Sequence, residues 1–492
     1  MQVYPCKVIR EAENACFMKG CTTSAALMDY VIDRMREAVE RMPELAGRRI
    51  TRVSVYAGKG NNAGDALGLA ARFPCSIQVN TVCAPPQFSA ETAQQFAKLK
   101  HRQVAGSVPE QASGEGCTLI IDGILGSGAR GPLSPEYRKL VKELNRERDN
   151  TPDSLVLSID IPTGLQADTG ELPGEVVKAD VTVAIGCVKP GMLADGTEDY
   201  VGRLLCIPLP QVELPQTARL HVAEPSLFAA LPRRAYSCFK NRAGRVHIVA
   251  GSVGYVGAAQ LCAEAAVAAG AGLVALYCPE AVYPILAARV APEVMVHPVR
   301  SYAEVPVTGA QALVVGPGIG APDAAEAAAL YRLVQGFNGP VVLDADGLNT
   351  AARCAWRIPP HCILTPHAGE MRRLFPQAAE LSRAETVRQF LQLIPCTLLY
   401  KGARSIISDG VQTFYNSTGG PYMANGGQGD VLSGVIAALA AQGCSPVHAA
   451  ALGAYACGLA GAIAAAHAGY AHAVSASQLI KGLPRALSGT AV

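Results

Sequence analysis

Residues 50–73 read ITRVSVYAGKGNNAGDALGLAARF, which is a β-rich run, a glycine-rich turn and an apolar helical segment in succession. The run Ile50–Ala57 favours a strand, because β-branched and aromatic residues fit the pleated surface of a sheet. A glycine-rich turn between a parallel strand and a helix leaves backbone N–H groups free at the positive end of the helix dipole. The stretch therefore predicts a parallel α/β fold with a ligand site at its first strand end.

The same alternation continues on both sides of this stretch. Apolar runs bounded by Gly or Pro predict further strands at Ile77–Cys83, Thr118–Asp122, Leu155–Asp160 and Asp180–Ile185. Helical patterns are predicted at Ser24–Arg41, Ala90–Lys100 and Pro135–Asn145. Short apolar strands separated by helices indicate a parallel sheet that is covered on both faces.

A Pro-rich polar segment, residues 207–221 (IPLPQVELPQTARLH), interrupts the alternation and predicts a domain boundary. After it, strands are expected at Arg245–Ala250, Gly272–Cys278, Ala312–Gly316, Pro340–Asp344, Cys362–Thr365, Thr397–Lys401 and Ser405–Ser408. The 492 residues therefore predict two α/β domains, 1–217 and 218–492, without a close internal repeat.

Composition excludes several classes of protein. Half of the residues are hydrophobic and 17% are charged, which excludes a disordered chain, and a net charge of +2 gives no reason to expect nucleic acid. Residues 431–480 lack Asp, Glu, Lys and Arg, but Ala and Gly dominate them, so we expect buried core helices and no membrane spans. The 16 cysteines are scattered and residues 1–19 have no signal-peptide core, so free thiols and a cytoplasmic location are expected.

Two more strand ends of the first half carry polar residues beside glycine. Asp122 is followed by GILGSG (residues 123–128), and Asp160 is followed by IPTG (residues 161–164). Gly58, Gly60 and Ala63 alone match the dinucleotide fingerprint only weakly, because the second strand lacks the acidic residue that holds a ribose. Ligands of open parallel sheets bind outside the carboxyl ends of the strands, so the three ends together predict one crevice.

On these three turns, residues 1–215 resemble the NAD(P)H-hydrate epimerase family, whose motifs are G-x-G-N-N-G-G-D, D-A-x-x-G-T-G and D-x-P-S-G. The resemblance implies a Rossmann-like three-layer sandwich that interconverts the R and S hydrates of NADH and NADPH at C6 of the nicotinamide ring. It implies a potassium ion at Asn62, Asp122 and Thr163. Contacts with the hydrate are implied for Asn61, Asn62, Ala63, Gly64, Asp65, Gly126, Ser127, Gly128, Ala129, Arg130, Gly131, Pro132 and Asp160. Asp160 is the candidate acid/base group, with a helix cap or an ion ligand as its alternative role.

Four residues depart from the family pattern. Ala63 and Ala66 replace glycines, Gly123 replaces an alanine and Thr163 replaces a serine. Threonine keeps the hydroxyl ligand. Ala63 is expected to place a methyl group where the backbone approaches the ligand.

The second half carries its strongest motif at residues 423–434, MANGGQGDVLSG. Glycines immediately before an apolar helix form an anion hole of backbone N–H groups. Asp430, at the start of that helix, is a candidate base for a hydroxyl that accepts a phosphoryl group. The alternative role of Asp430 is to stabilise the helix start.

Most of residues 225–490 resemble the ribokinase-like superfamily and, within it, the ADP- or ATP-dependent NAD(P)H-hydrate dehydratases. The ordered motifs are KNRAGR (240–245), GSVGYVGAA (251–259), APEVM (291–295), GPGIG (316–320), LDADGLN (343–349), LTPHAGE (364–370) and KGARS (401–405). The resemblance implies that the hydrate contacts Ala258, Gly318, His367 and Asp430. It implies that the nucleotide contacts Lys401, Gly402, Ala403, Arg404, Ser405 and Gly429.

The implied reaction is dehydration of the S hydrate: Asp430 activates the C6 hydroxyl, ADP supplies phosphate with Mg²⁺, and elimination of that phosphate restores the reduced nicotinamide. The alternative role of His367 is that of a polar residue whose hydrogen bonds are satisfied within the protein. Asp344 and Asp346 either bind magnesium or cap a turn. Gln428, in place of the usual Thr, is expected to alter nucleotide contacts.

The leading hypothesis is a bifunctional repair enzyme that takes NADHX, NADPHX and ADP as small-molecule substrates and forms a homo-oligomer, with no nucleic acid or membrane partner. The runner-up is a ribokinase-type kinase of a vitamin-like alcohol with an N-terminal ligand-binding module. In a third hypothesis, residues 1–215 are a non-catalytic sensing or protein-binding module.

Overall fold

The computed structural model describes residues 1–45, 48–100, 116–215, 217–468 and 474–489. The chain forms two compact units, Met1–Ala218 and Arg219–Val492. The division lies one residue from the boundary that the Pro-rich segment predicts.

The first unit is a six-stranded parallel sheet with the order β2-β1-β3-β4-β5-β6. Its strands are β1 Arg49–Ala57, β2 Ser76–Thr81, β3 Gly116–Gly123, β4 Ser154–Ile159, β5 Val181–Ile185 and β6 Arg203–Ile207. Its helices are α1 Cys6–Met18, α2 Ser24–Glu40, α3 Asn61–Ala70, α4 Ala90–Lys100, α5 Pro135–Asn150 and α6 Glu198–Val201. The strand order reverses direction between β1 and β3, and a crevice at such a switch point is where doubly wound sheets bind ligands.

Helices cover both faces of the first sheet, as the apolar strands predict. On one face, α2 and α3 pack Met35 and Leu67 against the sheet, and on the other α5 packs Leu144 against Ile120 and Val156. The predicted strands are confirmed to within a few residues at their ends. Neither α1 nor β6 was predicted.

The second unit is a ten-stranded sheet with the order β10-β9-β8-β11-β12-β13-β14-β15-β16-β7. Its strands are β7 Leu220–Val222, β8 Arg245–Val249, β9 Leu273–Pro279, β10 Val294–Val299, β11 Ala312–Val315, β12 Val341–Leu343, β13 Cys362–Leu364, β14 Thr397–Tyr400, β15 Ile406–Ser408 and β16 Thr413–Tyr415. The pairs β14–β15 and β15–β16 are antiparallel, and the other pairs are parallel. The sequence predicted neither β10 nor β16, and β7 lies partly inside the segment expected to be a linker.

Nine helices are described in this unit: α7 Val256–Ala268, α8 Tyr283–Arg289, α9 Ala324–Gly336, α10 Asp346–Arg353, α11 Ala368–Leu374, α12 Arg383–Leu393, α13 Gln428–Ala441, α14 Pro446–Ala468 and α15 Ala476–Leu487. Small residues let the buried helices α7 and α13 approach each other closely. A Cβ on Gly434 of α13 would lie 2.1 Å from the carbonyl oxygen of Cys262 in α7. Within the described residues, α14 alone is long and apolar enough to cross a membrane, and 78% of its apolar window is buried in the unit. This burial agrees with the expected core helices. The sixteen cysteines are free thiols.

Two of the departures from the epimerase pattern lie against each other. A Cβ on Gly123 would lie 2.3 Å from the Cβ of Ala66 and 2.9 Å from the carbonyl oxygen of Asn62. The family pattern has glycine at position 66 and alanine at position 123, whereas this chain has Ala66 and Gly123. The contact between the two positions therefore still holds one methyl group, contributed by the other residue.

Gly123→Ala alone is expected to lower the free energy of unfolding by about 1–3 kcal/mol, because it overpacks this contact. Combined with Ala66→Gly, the loss is expected to be smaller than the sum of the two single changes, by roughly 1 kcal/mol. Denaturant unfolding of both single variants and the double variant measures the difference. Single effects that simply add would contradict the compensation.

Candidate active sites

The first candidate site is a cavity of about 380 Å³ at the switch point of the first sheet. Its wall combines the start of α3, the turn after β3, the end of β4 and residues after β5, and α1 covers one side. Of the residues expected to contact the hydrate, it brings together Asn61, Asn62, Asp65, Gly126, Ser127, Gly128 and Asp160. This volume is within the range of small-ligand sites.

Other expected contacts lie outside the described cavity wall. Ala63 is fully buried in the core, so its methyl group does not face the ligand as expected. Gly64 packs against the Met28 and Thr92 side chains. The segment Ala129–Pro132 does not line the cavity; Arg130 pairs with Asp168 at 3.0 Å and the Gly131 N–H donates to Gln166.

Asp160 forms a buried ion pair that the sequence analysis did not anticipate. Lys189 Nζ lies 2.5 Å from Asp160 Oδ1, and the Ser127 N–H donates to Asp160 Oδ2 at 2.7 Å. Burial by itself would raise the pKa of Asp160, but Lys189 and the Ser127 N–H outweigh it and hold that pKa below its usual value. Asp160 also has a φ of 65°, a backbone conformation uncommon for residues other than glycine. The ion pair therefore keeps an ionised carboxylate at a fixed place in the cavity.

Two further polar side chains of the cavity are buried without hydrogen-bond partners among the described residues. These are the Asn62 amide and Asp65 Oδ1. Burial, followed by the charges of Asp160 and Glu13, raises the pKa of Asp65 well above its usual value. Buried polar groups normally have partners, so unpartnered ones at a cavity indicate a place for a bound group.

Asp122 and Thr163 lie behind the cavity in a closed network. Thr163 Oγ1 donates to Asp122 Oδ1 at 2.7 Å, and the Thr163 N–H and Ser158 Oγ donate to Asp122 Oδ2. Burial raises the pKa of Asp122 despite these bonds. Within the described residues, no group of three or more His, Cys, Asp or Glu side chains could hold a metal ion. Of the three residues expected to hold potassium, Asn62 alone has a side-chain oxygen without a partner among the described residues, and amide, hydroxyl and carboxylate oxygens are the ligands that hard cations take.

The second candidate site lies at the carboxyl ends of three neighbouring strands of the second sheet. Asp344 follows β12, Thr365 follows β13 and Lys401 follows β14. Lys401 Nζ lies 2.8 Å from Asp344 Oδ1, Thr365 Oγ1 donates to the same oxygen at 2.9 Å, and Ser433 Oγ donates to Asp344 Oδ2 at 2.8 Å. The buried Asp344 thus fixes the Lys401 ammonium group beside the start of α13.

Asp430 lies in the first turn of α13, next to this ion pair. No side chain in the described part of the chain caps that helix, and Gly427 precedes it in the left-handed conformation with a φ of 89°. A Cβ on Gly429 would lie 3.4 Å from Lys401 Nζ, which places the glycine-rich turn directly on the ammonium group. Burial, and then the charge of Asp344, raises the pKa of Asp430 to about 7, against the lowering effect of Lys401. The carboxyl group can therefore both accept and release a proton at neutral pH.

His367 is the N-cap of α11. Its Nδ1 accepts hydrogen bonds from the N–H groups of Gly369 and Glu370, and the Glu370 carboxylate accepts from the His367 N–H in return. The structure thus shows the role of a satisfied polar residue that the sequence left open. Its ring remains half exposed, so contact with a ligand is compatible with this role.

The remaining expected contacts of this site lie around the same strand ends. Gly318 follows β11 with a φ of 63°, and a Cβ there would lie 3.0 Å from the Cβ of Ala258 in α7. Arg383 Nη1 donates to the Arg404 carbonyl oxygen at 2.9 Å, and the same nitrogen would overlap a Cβ on Gly402. Arg383, at the start of α12, therefore holds the segment 401–405, which is expected to contact the nucleotide, in place. The Asp346 carboxylate accepts a hydrogen bond from the Gly320 N–H at 2.9 Å and thereby stabilises the turn after β11.

Two family models match the chain, one to each unit. The YjeF-related protein N-terminus model matches residues 24–191, and the NAD(P)H-hydrate dehydratase model matches residues 246–485. A bifunctional NAD(P)H-hydrate repair enzyme from Moorella thermoacetica is 34% identical, covering 94% of this chain and 92% of its own. The chain belongs to the family of bifunctional NAD(P)H-hydrate repair enzymes. A member from Hyperthermus butylicus is 32% identical over 92% of this chain and 87% of its own.

One solved structure supports a ribokinase-like fold for the second unit, and a second one shows similarity alone. A ribokinase-like superfamily protein from Enterococcus faecalis is 25% identical with a TM-score of 0.50, covering 56% of this chain and 98% of its own. An ADP/ATP-dependent NAD(P)H-hydrate dehydratase from Bacillus subtilis, co-crystallised with ATP and Mg²⁺, is 27% identical with a TM-score of 0.49. The match covers 55% of this chain and 98% of the Bacillus subtilis chain. The predicted fold class is confirmed, and membership of the repair family favours the predicted function over a kinase of a vitamin-like alcohol.

Proposed function

We propose that the crevice of the second unit dehydrates the S hydrate and that the cavity of the first unit epimerises the R and S hydrates. The observation that carries the first assignment is the convergence of Asp344, Lys401 and Asp430 at the start of α13. Mixed R and S hydrates of NADH, incubated with ADP and Mg²⁺, are expected to give back all of the reduced nicotinamide by absorbance. Recovery of only the S fraction would contradict the epimerase, and no recovery would contradict both assignments.

In the dehydratase, Asp430 takes the proton of the C6 hydroxyl as that oxygen attacks the terminal phosphate of the nucleotide. Lys401 lies where the phosphate charge develops, beside the N–H groups of the glycine-rich turn. The phosphorylated C6 oxygen then leaves as inorganic phosphate, which is a far better leaving group than hydroxide. Loss of the neighbouring proton completes the double bond of the reduced nicotinamide.

We propose ADP as the phosphoryl donor and Mg²⁺ as the ion that accompanies it. Asp344, Asp346, Glu370 and Asp430 act on one another electrostatically, with Lys401 among them, so the site favours an additional cation. Both Asp344 oxygens already accept hydrogen bonds within the chain, which favours a cation held mainly by the phosphates. Mg²⁺ would neutralise phosphate charge during transfer. Initial rates with ADP and with ATP at equal Mg²⁺ decide the preference.

In the epimerase, Asp160 faces the C6 carbon as a carboxylate, and Lys189 fixes its position and ionisation. Such a carboxylate stabilises the cation that forms when the C6 oxygen leaves as water. We further propose that Asn62, Asp122 and Thr163 hold K⁺, as the unpartnered Asn62 amide supports.

K⁺ is expected to stabilise the first unit, because a ligand that binds only the folded state raises its stability. At ten times its Kd, the gain is about 1.4 kcal/mol. Thermal unfolding in K⁺ against Na⁺ at equal ionic strength measures it. Asn62→Ala is expected to abolish the difference, while Asn61→Ala, whose side chain bonds to Ser89, is expected to keep it. Equal stability of the unsubstituted protein in the two salts would contradict the K⁺ site.

We also propose that the chain forms a homo-oligomer. Val253 and Tyr255, in the loop before α7, are 78% and 59% exposed, and such apolar surface commonly marks an interface. Light scattering that gives the mass of one chain would contradict this proposal.

A further inference from the structure

Helix α1 forms one wall of the epimerase cavity, although it lies outside the family model, which begins at residue 24. The side chains that it contributes recur every three or four residues and so share one helix face: Cys6, Ile9, Arg10, Glu13 and Phe17. Contacts at the start of the helix hold it there. The Cys6 N–H donates to Asp168 at 2.7 Å. Ile9 packs directly against Gly186, since a Cβ on this glycine would lie 2.7 Å from the Cδ1 of Ile9.

Epimerisation at C6 requires a proton to be delivered and then recovered. The C6–O bond breaks as the N1 electron pair forms a double bond to C6, and the leaving oxygen must take up a proton to depart as water. Water then adds to the other face of C6 and gives up a proton. Asp160 cannot deliver the first proton near neutral pH, because Lys189 and the Ser127 N–H keep it ionised.

Glu13 is the carboxyl group of the wall that is suited to this task. It is half-buried, so it can exchange protons with solvent between turnovers, whereas Asp65 is nine-tenths buried. Burial, followed by the charge of Asp160, raises the pKa of Glu13, with Lys189 and Arg10 acting in the opposite direction. Pairs of acidic groups whose pKa values are displaced in opposite directions are typical of acid/base sites. The titratable groups around Glu13 are Cys6 and Arg10 on α1, Asp65 on α3, Asp160 after β4, and Cys187 and Lys189 after β5.

We propose that Glu13 is a catalytic residue of the epimerase: as the acid it protonates the departing C6 hydroxyl, and after the cationic ring has turned its other face toward Glu13, the carboxylate takes the proton of the incoming water. The proposal rests on the epimerase activity proposed above. No redox change occurs, and Glu13 regains its proton at the end of each turnover. Asp160 stabilises the cation formed between the two steps.

The test compares Glu13→Gln with Glu13→Asp and Glu11→Gln in the full chain. Glu11 lies on the same helix, 65% exposed and 3.7 Å from Lys7, so it is a matched control. Epimerisation is followed without nucleotide, by chromatography of the two hydrates, and thermal unfolding of the same samples reports folding of the first unit. Glu13→Gln is expected to lower kcat about 10²–10³-fold with KM changed less than about threefold, and Glu13→Asp to restore part of the rate.

The pH profile separates a catalytic role from a structural one. The rate of the unsubstituted protein is expected to fall as pH rises through the pKa of Glu13, because the acid must be protonated, and Glu13→Gln is expected to lose this limb. If Glu13→Gln epimerises like Glu11→Gln, or keeps the alkaline limb, the assignment of Glu13 is wrong while the epimerase stands. If the unsubstituted protein does not epimerise, both are wrong.

Discussion

Replacing Asp430 with Asn is expected to lower the kcat of dehydration by about 10³-fold, within the range that general base catalysis contributes. Asparagine keeps the size and hydrogen-bonding capacity of the side chain but cannot take the proton of the C6 hydroxyl. Nucleotide affinity is expected to change little, because Lys401 and the N–H groups of the glycine-rich turn remain. Steady-state kinetics with the S hydrate, together with calorimetric titration of ADP, measure both quantities.

The pH dependence of the same reaction identifies the group. With a pKa of about 7, Asp430 is mostly protonated and inactive as a base at pH 6 and mostly ionised at pH 8. The dehydration rate is therefore expected to rise with pH toward about 7 and to level off above it. This acidic limb should disappear in Asp430→Asn.

Asp323→Asn is the matched control for this prediction. Asp323 also lies at the start of a helix, where its Oδ1 caps the N–H groups of Ala325 and Glu326, a role that asparagine can fill. Dehydration is expected to be unchanged by it. If Asp430→Asn retained more than about a tenth of kcat, Asp430 would only stabilise its helix and another base would be required.

Local motifs with a fixed relation to the sheet could be predicted from the sequence. The strand ends at Asp122 and Asp160, and the glycine-rich start of α13 before Asp430, follow from the alternation of strands and helices, because parallel strands end at one edge. The pKa of Asp430 could not be predicted, since it depends on Asp344, which is 86 residues away in the chain and reaches the same place only through the order of the strands.

The residues that the sequence analysis missed depend on tertiary packing. Lys189 follows an ordinary strand, and nothing near it in the sequence shows that its ammonium group is buried against Asp160. Glu13 reaches the cavity only because α1 packs against the end of β5. The sequence does place Lys189 at the same sheet edge as the other strand ends, because it lies four residues after a parallel strand, but it does not identify Asp160 as the partner.

Lys189→Met is expected to destabilise the first unit by about 3–5 kcal/mol, because it leaves Asp160 as an uncompensated buried charge. The Lys189 side chain is 1% exposed and that of Asp160 is 13% exposed, so little solvent reaches the carboxylate to replace the lost partner. Asp160 is then expected to bind a proton near neutral pH, and epimerisation to fall with it. Adding Asp160→Asn to Lys189→Met is expected to restore most of the stability but none of the activity, since a neutral pair needs no counter-ion.

The pH dependence of this loss follows from the direction of the Asp160 shift. Because Lys189 lowers the pKa of Asp160, the stability gained from the pair is present above the unfolded pKa, near 4, and is lost as pH falls through the folded value. The difference between the unsubstituted protein and Lys189→Met should therefore shrink as pH falls from neutral, where Asp160 of the variant takes up its proton, and should shrink further below about pH 4. Lys142→Met is the control: its partner Glu175 is 3.4 Å away and both side chains are exposed, so less than about 1 kcal/mol is expected. Equal losses from Lys189→Met and Lys142→Met in thermal unfolding would show that the Asp160 pair is not buried in solution, and the fixed carboxylate of the proposed epimerase would be lost with it.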